Sequence, residues 1–193
     1  MADAFEPGHA PNLEAPARLE ALPPAAVVSL LGLTGDETVV DYGAGTGVYT
    51  VALAAALPRG RLVAVEALPE LADALRARLT PELAARVAVV VTATNDVPEP
   101  DGVADRVVMV DVLHHLYDQS AALAQVARLL HPGGLFVVVD WADVERPVGP
   151  PPGHALGLGR VREIVAGMGL DERAAHEPGT LLRYHLALVA AKP

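Results

Sequence analysis

Three glycines alternate with other residues in the segment "VVDYGAGTGVYT" (39–50), directly after an apolar, β-branched run. They are Gly43, Gly45 and Gly47, and Asp41 stands two residues before the first of them. Glycine loses more conformational freedom on folding than any other residue, so this cluster indicates a backbone that turns tightly or approaches a ligand closely. A glycine-rich loop that opens a helix is a typical anion site, because the first N–H groups of the helix have no partner within it.

A dinucleotide-binding loop is one interpretation of these glycines. That class requires G-x-G-x-x-G, whereas here the third glycine comes one position early and Val48 stands where glycine or alanine would let helix and strand pack. The carboxylate of Asp41 is a poor neighbour for a pyrophosphate and a good one for a cation or an ammonium group. The only lysine is Lys192, so a hydride site built on a tyrosine–lysine pair is not formed, and a nicotinamide-dependent oxidoreductase is the weaker alternative.

A second carboxylate ends the next apolar run, "RLVAVE", at Glu66, which follows Asp41 by 25 residues. An acidic residue at the tip of a second strand can accept hydrogen bonds from both hydroxyls of a ribose. This acid is therefore a candidate for binding the sugar of a nucleoside.

Further polar groups follow later apolar runs, namely Asp111, Asp140 and the pair His114 and His115. A metal centre needs several converging ligands, and the spacing of these residues is not specific for one. The chain also has no cysteine, and so no thiolate ligand. We predict no metal site.

The residues above are placed by an alternation of short apolar strands and helices, which predicts an α/β fold with a Rossmann-like, doubly wound sheet. The connection at about 177–180 is too short for a crossover, so the last two strands should pair antiparallel, as a hairpin in an otherwise mostly parallel seven-stranded sheet. Strands are predicted at 37–42, 61–66, 86–91, 105–111, 135–140, 170–176 and 181–190, and helices at 23–33, 47–57, 68–79, 119–130 and 154–169.

Composition limits the partners of this chain. With 193 residues, 52% of them hydrophobic, it is long enough for one domain with a sizeable core. The formal net charge is −10 and no basic run occurs, so no nucleic acid is expected to bind. No apolar stretch approaches bilayer length and no signal pattern opens the chain, so we expect no membrane insertion and a cytoplasmic location.

Several segments, taken in order, resemble the motifs of class I S-adenosylmethionine-dependent methyltransferases. The resemblance covers about residues 23–193 and is nearest to the small ubiquinone and menaquinone C-methyltransferase-like (type 11) group. It implies one methyltransferase domain over 23–193, with 1–22 as an N-terminal segment that could cover the acceptor site. The segments are "VVDYGAGTG" with "VAVEA", "DGVADRVVMVDVLHHL" (101–116), "QVARLLHPGGLFVVVDW" (125–141) and "YHLALVAAKP" (184–193).

The resemblance implies S-adenosylmethionine as cofactor and S-adenosylhomocysteine as product. Asp41 would serve the ammonium group, Glu66 the ribose, and Ala67 and Leu68 the adenine. The family usually has an acid after the third strand for the adenine amino group, but Ala93 stands there in this chain. The remaining residues expected to contact the cofactor are Gly43, Ala44, Gly45 and Gly47 in the loop, Thr94 and Asn95 near Ala93, and Val110 and Asp111 after the fourth strand.

The methyl acceptor is expected to be a small molecule, since neither 1–22 nor the loop 142–153 is long enough for a recognition domain. Methyl transfer depends mainly on holding nucleophile and methyl group in line, and a base is needed only for an acceptor that carries a proton. A cofactor-binding module without turnover is the other alternative, and the oligomeric state stays open. The candidate catalytic residues are His114, His115 and Tyr49, and the candidate acceptor-pocket residues are Phe5, Trp141 and Tyr184.

Overall fold

The computed structural model of the chain describes residues 12–94, 96–116, 119–147, 149–150, 153–179 and 181–193. Within these residues seven strands form one sheet, in the order β3-β2-β1-β4-β5-β7-β6. The strands are β1 (Thr38–Tyr42), β2 (Arg61–Glu66), β3 (Val87–Val91), β4 (Ala104–Val110), β5 (Leu130–Trp141), β6 (Asp171–His176) and β7 (His185–Ala191).

Helices connect most of the parallel strands and cover the sheet. Proline opens four of them within the first two positions, where its missing N–H costs no hydrogen bond. A single 3-10 turn, Leu113–His115, follows β4. The helices are α1 (Pro16–Ala21), α2 (Pro24–Leu30), α3 (Val48–Ala55), α4 (Pro69–Arg78), α5 (Pro81–Ala84), α6 (Gln119–Leu129) and α7 (Leu158–Gly167).

The predicted sheet topology is confirmed. β1 pairs in parallel with β2 and with β4, and β7 is antiparallel to both β5 and β6. From β1 the chain builds β2 and β3 on one side and then crosses to β4 on the other. In such sheets ligands bind beyond the carboxyl ends of the strands where the strand order reverses, which here is the edge between β1 and β4.

Both faces of the sheet are buried, which explains why the central strands are almost entirely apolar. Along β1, Val40 packs in one hydrophobic cluster and Val39 in the other. The same alternation places Val107 and Val108 of β4 on opposite faces. The strands are thus fixed from both sides, and the loops at their carboxyl ends are held in place by a rigid sheet.

One boundary differs from the prediction. The sequence predicts a helix to residue 130 and a strand from 135, with the residues between them as a loop. In the structure β5 already begins at Leu130, which pairs with Ala104, and the register with β4 then shifts before Leu135 pairs with Arg106. Hydrogen bonds with the chain after β7 hold this stretch at the sheet, since the N–H of Gly133 donates to the Lys192 carbonyl.

One smaller difference concerns the helices, since α5 was not predicted. α7 lies within the span 154–169 in which a helix was expected. Among the residues described, none of the helices combines the length and the apolar character that crossing a bilayer requires.

Candidate active site

A cavity of about 170 Å³ lies at the carboxyl ends of β1, β2 and β4. Of the described residues that the sequence predicts for the site, seven lie outside the cavity wall: Asp41, Gly47, Leu68, Thr94, His114, Trp141 and Tyr184. Phe5 and Asn95 lie outside the described residues. The nine predicted residues that line the cavity are Gly43, Ala44, Gly45, Tyr49, Glu66, Ala67, Val110, Asp111 and His115.

The glycine loop is shaped by close packing on both sides. Gly43 has φ of 84°, and a Cβ there would lie 2.4 Å from Cγ2 of Val112. Gly47 has φ of 85°, and its Cβ would lie 2.7 Å from Cγ of Leu75 on α4. Neither position accepts a side chain, so the loop needs glycine both for its left-handed backbone and for its close neighbours.

Glu66 fastens this loop to the end of β2. Its Oε2 accepts a hydrogen bond from the N–H of Gly45 at 2.7 Å, and its Oε1 accepts from the N–H groups of Ala67 and Leu68 at 2.8 and 2.9 Å. The residue is only 7% exposed. Each carboxylate oxygen can accept two hydrogen bonds, so Oε2 keeps one acceptor position for a ligand in the cavity.

Asp41 lies behind the loop and is fully covered by it and by α3. Its Oδ2 accepts a hydrogen bond of 2.6 Å from the hydroxyl of Thr50. Burial raises the pKa of Asp41 to about 6, the Thr50 hydrogen bond opposes this rise and the negative charge of Glu66 adds to it. Asp41 therefore already has a hydrogen-bond partner, Thr50 on α3. Its predicted contact with an ammonium group stays a prediction.

At the end of β3, Thr92 rather than Thr94 reaches the cavity. The N–H of Thr92 donates to the Glu66 carbonyl, and the hydroxyls of Thr92 and Thr94 are 3.3 Å apart. Thr92 thus supplies a polar side chain close to the position where Ala93 lacks one.

On the other side of the cavity, Asp111 follows β4 with φ of 56°, the only non-glycine residue with positive φ in the described part of the chain. Such strain is typical of functional sites. Asp111 Oδ2 accepts hydrogen bonds from Nε and Nη2 of Arg18 on α1, at 3.2 and 2.7 Å. Burial alone would raise the pKa of Asp111, but His185 and Arg18 outweigh it and hold that pKa well below its usual range.

His185, at the start of β7, lies beneath Asp111. Its Nε2 is 3.2 Å from Asp111 Oδ1, in a geometry that does not meet the angles of a hydrogen bond. The ring packs on Trp141 at 4.0 Å between centroids. Trp141 is itself covered by the guanidinium of Arg146, and Tyr184 lies under Arg183. Neither of these two predicted aromatic residues lines the cavity.

The two histidines after β4 have different surroundings. His115 lines the cavity, whereas His114 is buried and its Nδ1 is 2.6 Å from Oδ1 of Asp140. Their rings lie 3.9 Å apart. Burial lowers the pKa of His114, but the hydrogen bond and charge of Asp140 outweigh it and raise that pKa above its ordinary value. Asp140 also accepts from the His114 N–H, so it fixes the turn that presents His115.

Tyr49 lines the cavity from the first turn of α3. Its hydroxyl donates to the Leu22 carbonyl at 3.1 Å, and the guanidinium of Arg18 lies 5.3 Å from its ring centroid. Burial raises the pKa of Tyr49 well above its ordinary value, so the phenol stays protonated near neutral pH. Tyr49 is placed to orient Arg18 rather than to act as a base.

Sequence reasoning missed the partners that lie far along the chain. Arg18 and His185 contact Asp111 only after folding, and no local pattern marks them. Asp140 was noted at a strand end, but its contact with His114 was not predicted. Thr92 could have been found from its position at a strand end. Across the described part of the chain, no three His, Asp or Glu side chains gather closely enough to hold a metal ion.

Comparison with known proteins identifies the family. The family described as "methyltransferase domain" matches residues 40–138, slightly more than half of the chain. The chain belongs to the methyltransferase-domain family. This confirms the predicted resemblance to class I S-adenosylmethionine-dependent methyltransferases, whose methyl donor is the cofactor expected here.

Individual members of the methyltransferase family are similar to this chain over different extents. A structure of an S-adenosylmethionine-dependent methyltransferase from Aquifex aeolicus is 27% identical, with a TM-score of 0.87 over 96% of this chain and 98% of that one. A ubiquinone/menaquinone biosynthesis C-methyltransferase of Syntrophotalea carbinolica is 25% identical over 64% of this chain and 52% of that protein. A demethylmenaquinone methyltransferase of Tropheryma whipplei is 30% identical over 65% of this chain and 50% of that protein. The chain spans about half the length of these curated relatives.

The residues of the cavity fit the methyl donor of this family. Glu66 retains an acceptor position for a ribose hydroxyl, and α3 begins at Gly47 without a side-chain cap. A helix N-terminus of this kind offers N–H groups and a partial positive charge to an anionic group. Ala67 and Leu71 add apolar surface beside Glu66, as an adenine ring requires.

Proposed function

We propose that this protein transfers a methyl group from S-adenosylmethionine to a small-molecule acceptor by in-line displacement and releases S-adenosylhomocysteine. The observation that carries the proposal is one cavity in which three features meet. They are the glycine loop held by Glu66, the Arg18–Asp111 pair and the side chain of His115.

The end of the cavity at β2 and β3 would hold the nucleoside. Glu66 Oε2 would accept from the ribose, Ala67 and Leu71 would contact the adenine, and the Thr92 hydroxyl would contact its polar edge. The glycine loop would come close to the ligand because Gly45 has no side chain there, and its N–H is already directed to Glu66. When bound, the cofactor supplies a methyl group activated by a sulfonium.

The opposite end of the cavity would hold the acceptor. Val112 and Leu116 give it an apolar wall, and His115 is the one histidine among the described residues that line the cavity. For an acceptor that carries a proton, His115 would take that proton through a ring nitrogen as the new bond forms. His114 and Asp140 would act on the reaction only by holding the turn that positions His115.

A small acceptor is supported by α1, which lies beside the cavity and contributes Arg18 to its wall. The two curated relatives are named for quinone or demethylmenaquinone methylation. We therefore propose a compact, largely apolar acceptor with a nucleophilic carbon, oxygen or nitrogen.

Two measurements test this function. Calorimetric titration with S-adenosylmethionine and S-adenosylhomocysteine should give one site per chain for each ligand. Incubation with a metabolite extract and methyl-labelled S-adenosylmethionine should transfer label to a small molecule. Binding without transfer would favour the non-catalytic module, and binding of a nicotinamide dinucleotide in place of both ligands would refute the proposal.

A further inference from the structure

The cavity contains a buried ion pair that connects distant parts of the chain. Arg18 and Asp111 have side chains only 10% and 7% exposed, and Nη2 and Oδ2 are 2.7 Å apart. Among the described residues that line the cavity, Arg18 is the one arginine or lysine, and Asp111 and Glu66 are the two acids. A buried pair of this kind costs desolvation, so its position in a ligand cavity calls for a function beyond stability.

Both partners keep unused hydrogen-bonding capacity. Arg18 has five N–H donors, and its bonds to Asp111 and to the Leu13 carbonyl use three of them. Asp111 Oδ1 is buried and has no hydrogen-bond partner among the described residues, although His185 Nε2 lies 3.2 Å away. The pair can therefore accept a ligand that brings both an acceptor for Arg18 and a donor for Asp111.

A zwitterion is the ligand class that suits this pair. If an anion alone bound Arg18, it would compete with the Asp111 carboxylate for the positive charge of the guanidinium. A buried charge that loses its partner is costly. A ligand with adjacent positive and negative groups leaves every charge beside an opposite one. Charge-assisted hydrogen bonds of this kind are also stronger than neutral ones.

The position of the pair relative to Glu66 gives the ligand a direction. Glu66 ends β2 and Asp111 follows β4, and β1 lies between these strands. Strands are spaced by about 4.8 Å, so the two carboxylates mark points about 10 Å apart across the sheet. A nucleoside held at Glu66 would extend its other end toward Arg18 and Asp111.

We propose that Arg18 and Asp111 together hold the zwitterionic amino-acid end of S-adenosylmethionine, with the guanidinium on its carboxylate and Asp111 on its ammonium group. This inference rests on the proposed function. It differs from the sequence prediction, which gave the ammonium group to Asp41. Asp41 lies outside the cavity wall and already accepts a hydrogen bond from Thr50.

The pair would also couple cofactor binding to the N-terminal segment. α1 has only six residues, and Arg18 is its contact with the end of β4. Leu13, on the same segment, lies near Gly45, where a Cβ would come within 3.3 Å of its Cδ1. A cofactor that engages Arg18 would thus hold the segment across the cavity while the acceptor is bound.

The test compares three ligands by calorimetry: S-adenosylhomocysteine, its decarboxylated analogue and its deaminated analogue. Arg18→Leu should weaken S-adenosylhomocysteine binding about 10- to 100-fold and leave the decarboxylated analogue within about threefold of wild type. Asp111→Asn should likewise weaken S-adenosylhomocysteine binding and leave the binding of the deaminated analogue within about threefold of wild type. Arg183→Leu is the matched control. Arg183 forms an exposed ion pair, away from the cavity, with Glu20 of α1, the helix that also carries Arg18.

Asp41→Asn decides between the two carboxylates. It should change the binding of all three ligands by a similar factor. The inference would be overturned if Asp41→Asn weakened the binding of S-adenosylhomocysteine but not of the deaminated analogue, while Asp111→Asn showed no such difference. If Arg18→Leu does not fold by circular dichroism, Arg18→Lys replaces it. That variant should lose affinity for S-adenosylhomocysteine and not for the decarboxylated analogue.

The outcomes separate this inference from the function on which it rests. If the wild-type protein binds none of the three ligands, the proposed function fails. If the wild type binds S-adenosylhomocysteine but Arg18→Leu weakens all three ligands equally, Arg18 only closes the segment over the cavity. In that case the inference fails and the function stands.

Discussion

The two ends of the cavity are built in different ways. At the end proposed to hold the nucleoside, called the nucleoside end below, Glu66 accepts hydrogen bonds from three backbone N–H groups, and two of those belong to the residues that follow it. At the other end, Asp111 is held by Arg18, which is 93 residues away in the chain. One end is a product of local backbone geometry, and the other is a product of tertiary structure.

This difference affects how each end responds to substitution. Backbone N–H groups stay in place when a side chain changes, so the nucleoside end loses mainly the contacts of the altered residue. A buried ion pair leaves an uncompensated charge when one partner is removed, which costs about 3–5 kcal/mol. We therefore expect sharp, ligand-specific effects at Arg18 and Asp111 and graded effects around Glu66.

The largest effect on binding is expected from Gly45→Val. Gly45 has φ of 56°, a Cβ there would lie 3.3 Å from Leu13, and the branches of valine would extend beyond that contact. We predict at least a 100-fold loss of S-adenosylhomocysteine affinity, roughly 3 kcal/mol, measured by calorimetry. Gly133→Val is the control, because Gly133 has φ of 84° with no atom within 4 Å of its Cβ position. Normal binding by Gly45→Val would show that the loop does not face the ligand.

The next effect is expected on turnover, from His115→Ala. With an acceptor that carries a proton, loss of a general base lowers kcat by about 100-fold, while cofactor affinity should stay within about threefold. Steady-state kinetics with the acceptor found by labelled transfer would measure it. His131→Ala serves as control, since His131 is partly exposed and pairs with Asp105 outside the cavity. An unaltered kcat would give His115 a packing role.

A smaller loss of affinity is expected from Glu66→Gln. The amide can still accept through one oxygen, but its NH₂ group must face an N–H of Gly45 or of Ala67 and Leu68. We predict an approximately 10-fold weaker binding of S-adenosylhomocysteine, about 1.4 kcal/mol. Glu70→Gln, on the exposed side of α4, should bind as wild type. If both variants bind equally, Glu66 does not reach the ribose.

Asp41→Asn should have the smallest effect on binding. Its main effect should be on the free energy of unfolding, in a way that depends on pH. Because burial raises the pKa of Asp41 to about 6 from 3.8, the native state binds this proton more tightly than the unfolded state. The group therefore costs stability as pH rises from about 4 to 6, and the cost persists above that range. We predict that Asp41→Asn is more stable than wild type at pH 7.5 by about 1–3 kcal/mol, with no such gain at pH 4. Denaturant titrations at the two pH values measure this, and an equal difference at both would contradict it.

The sequence allowed the fold to be predicted, and also the position of the glycines and Glu66 at one cavity, because both follow local patterns. Apolar strands that alternate with helices imply the parallel sheet, and the glycines and Glu66 sit at the ends of such strands. The β5 boundary was predicted wrongly because residues 131–134 are held at the sheet by hydrogen bonds with the chain after β7, which no local propensity indicates.

The end of the cavity at β4 could be predicted only in part. Asp111 and His115 follow a strand and line the cavity, but the neighbours of Asp111, Arg18 and His185, come from α1 and β7. The partner of His114, Asp140, comes from β5. Trp141 and Tyr184 were candidates for the acceptor pocket, but neither lines the cavity. The loop after β5 brings Arg146 over Trp141, and the Trp141 ring packs on His185.

The most direct test of the account is a calorimetric titration of the full chain with S-adenosylhomocysteine, with a nicotinamide dinucleotide as competitor. We predict one site with a dissociation constant in the micromolar range, about −8 kcal/mol, that the dinucleotide does not displace. No binding of S-adenosylhomocysteine at millimolar concentration, or its displacement by the dinucleotide, would contradict the account.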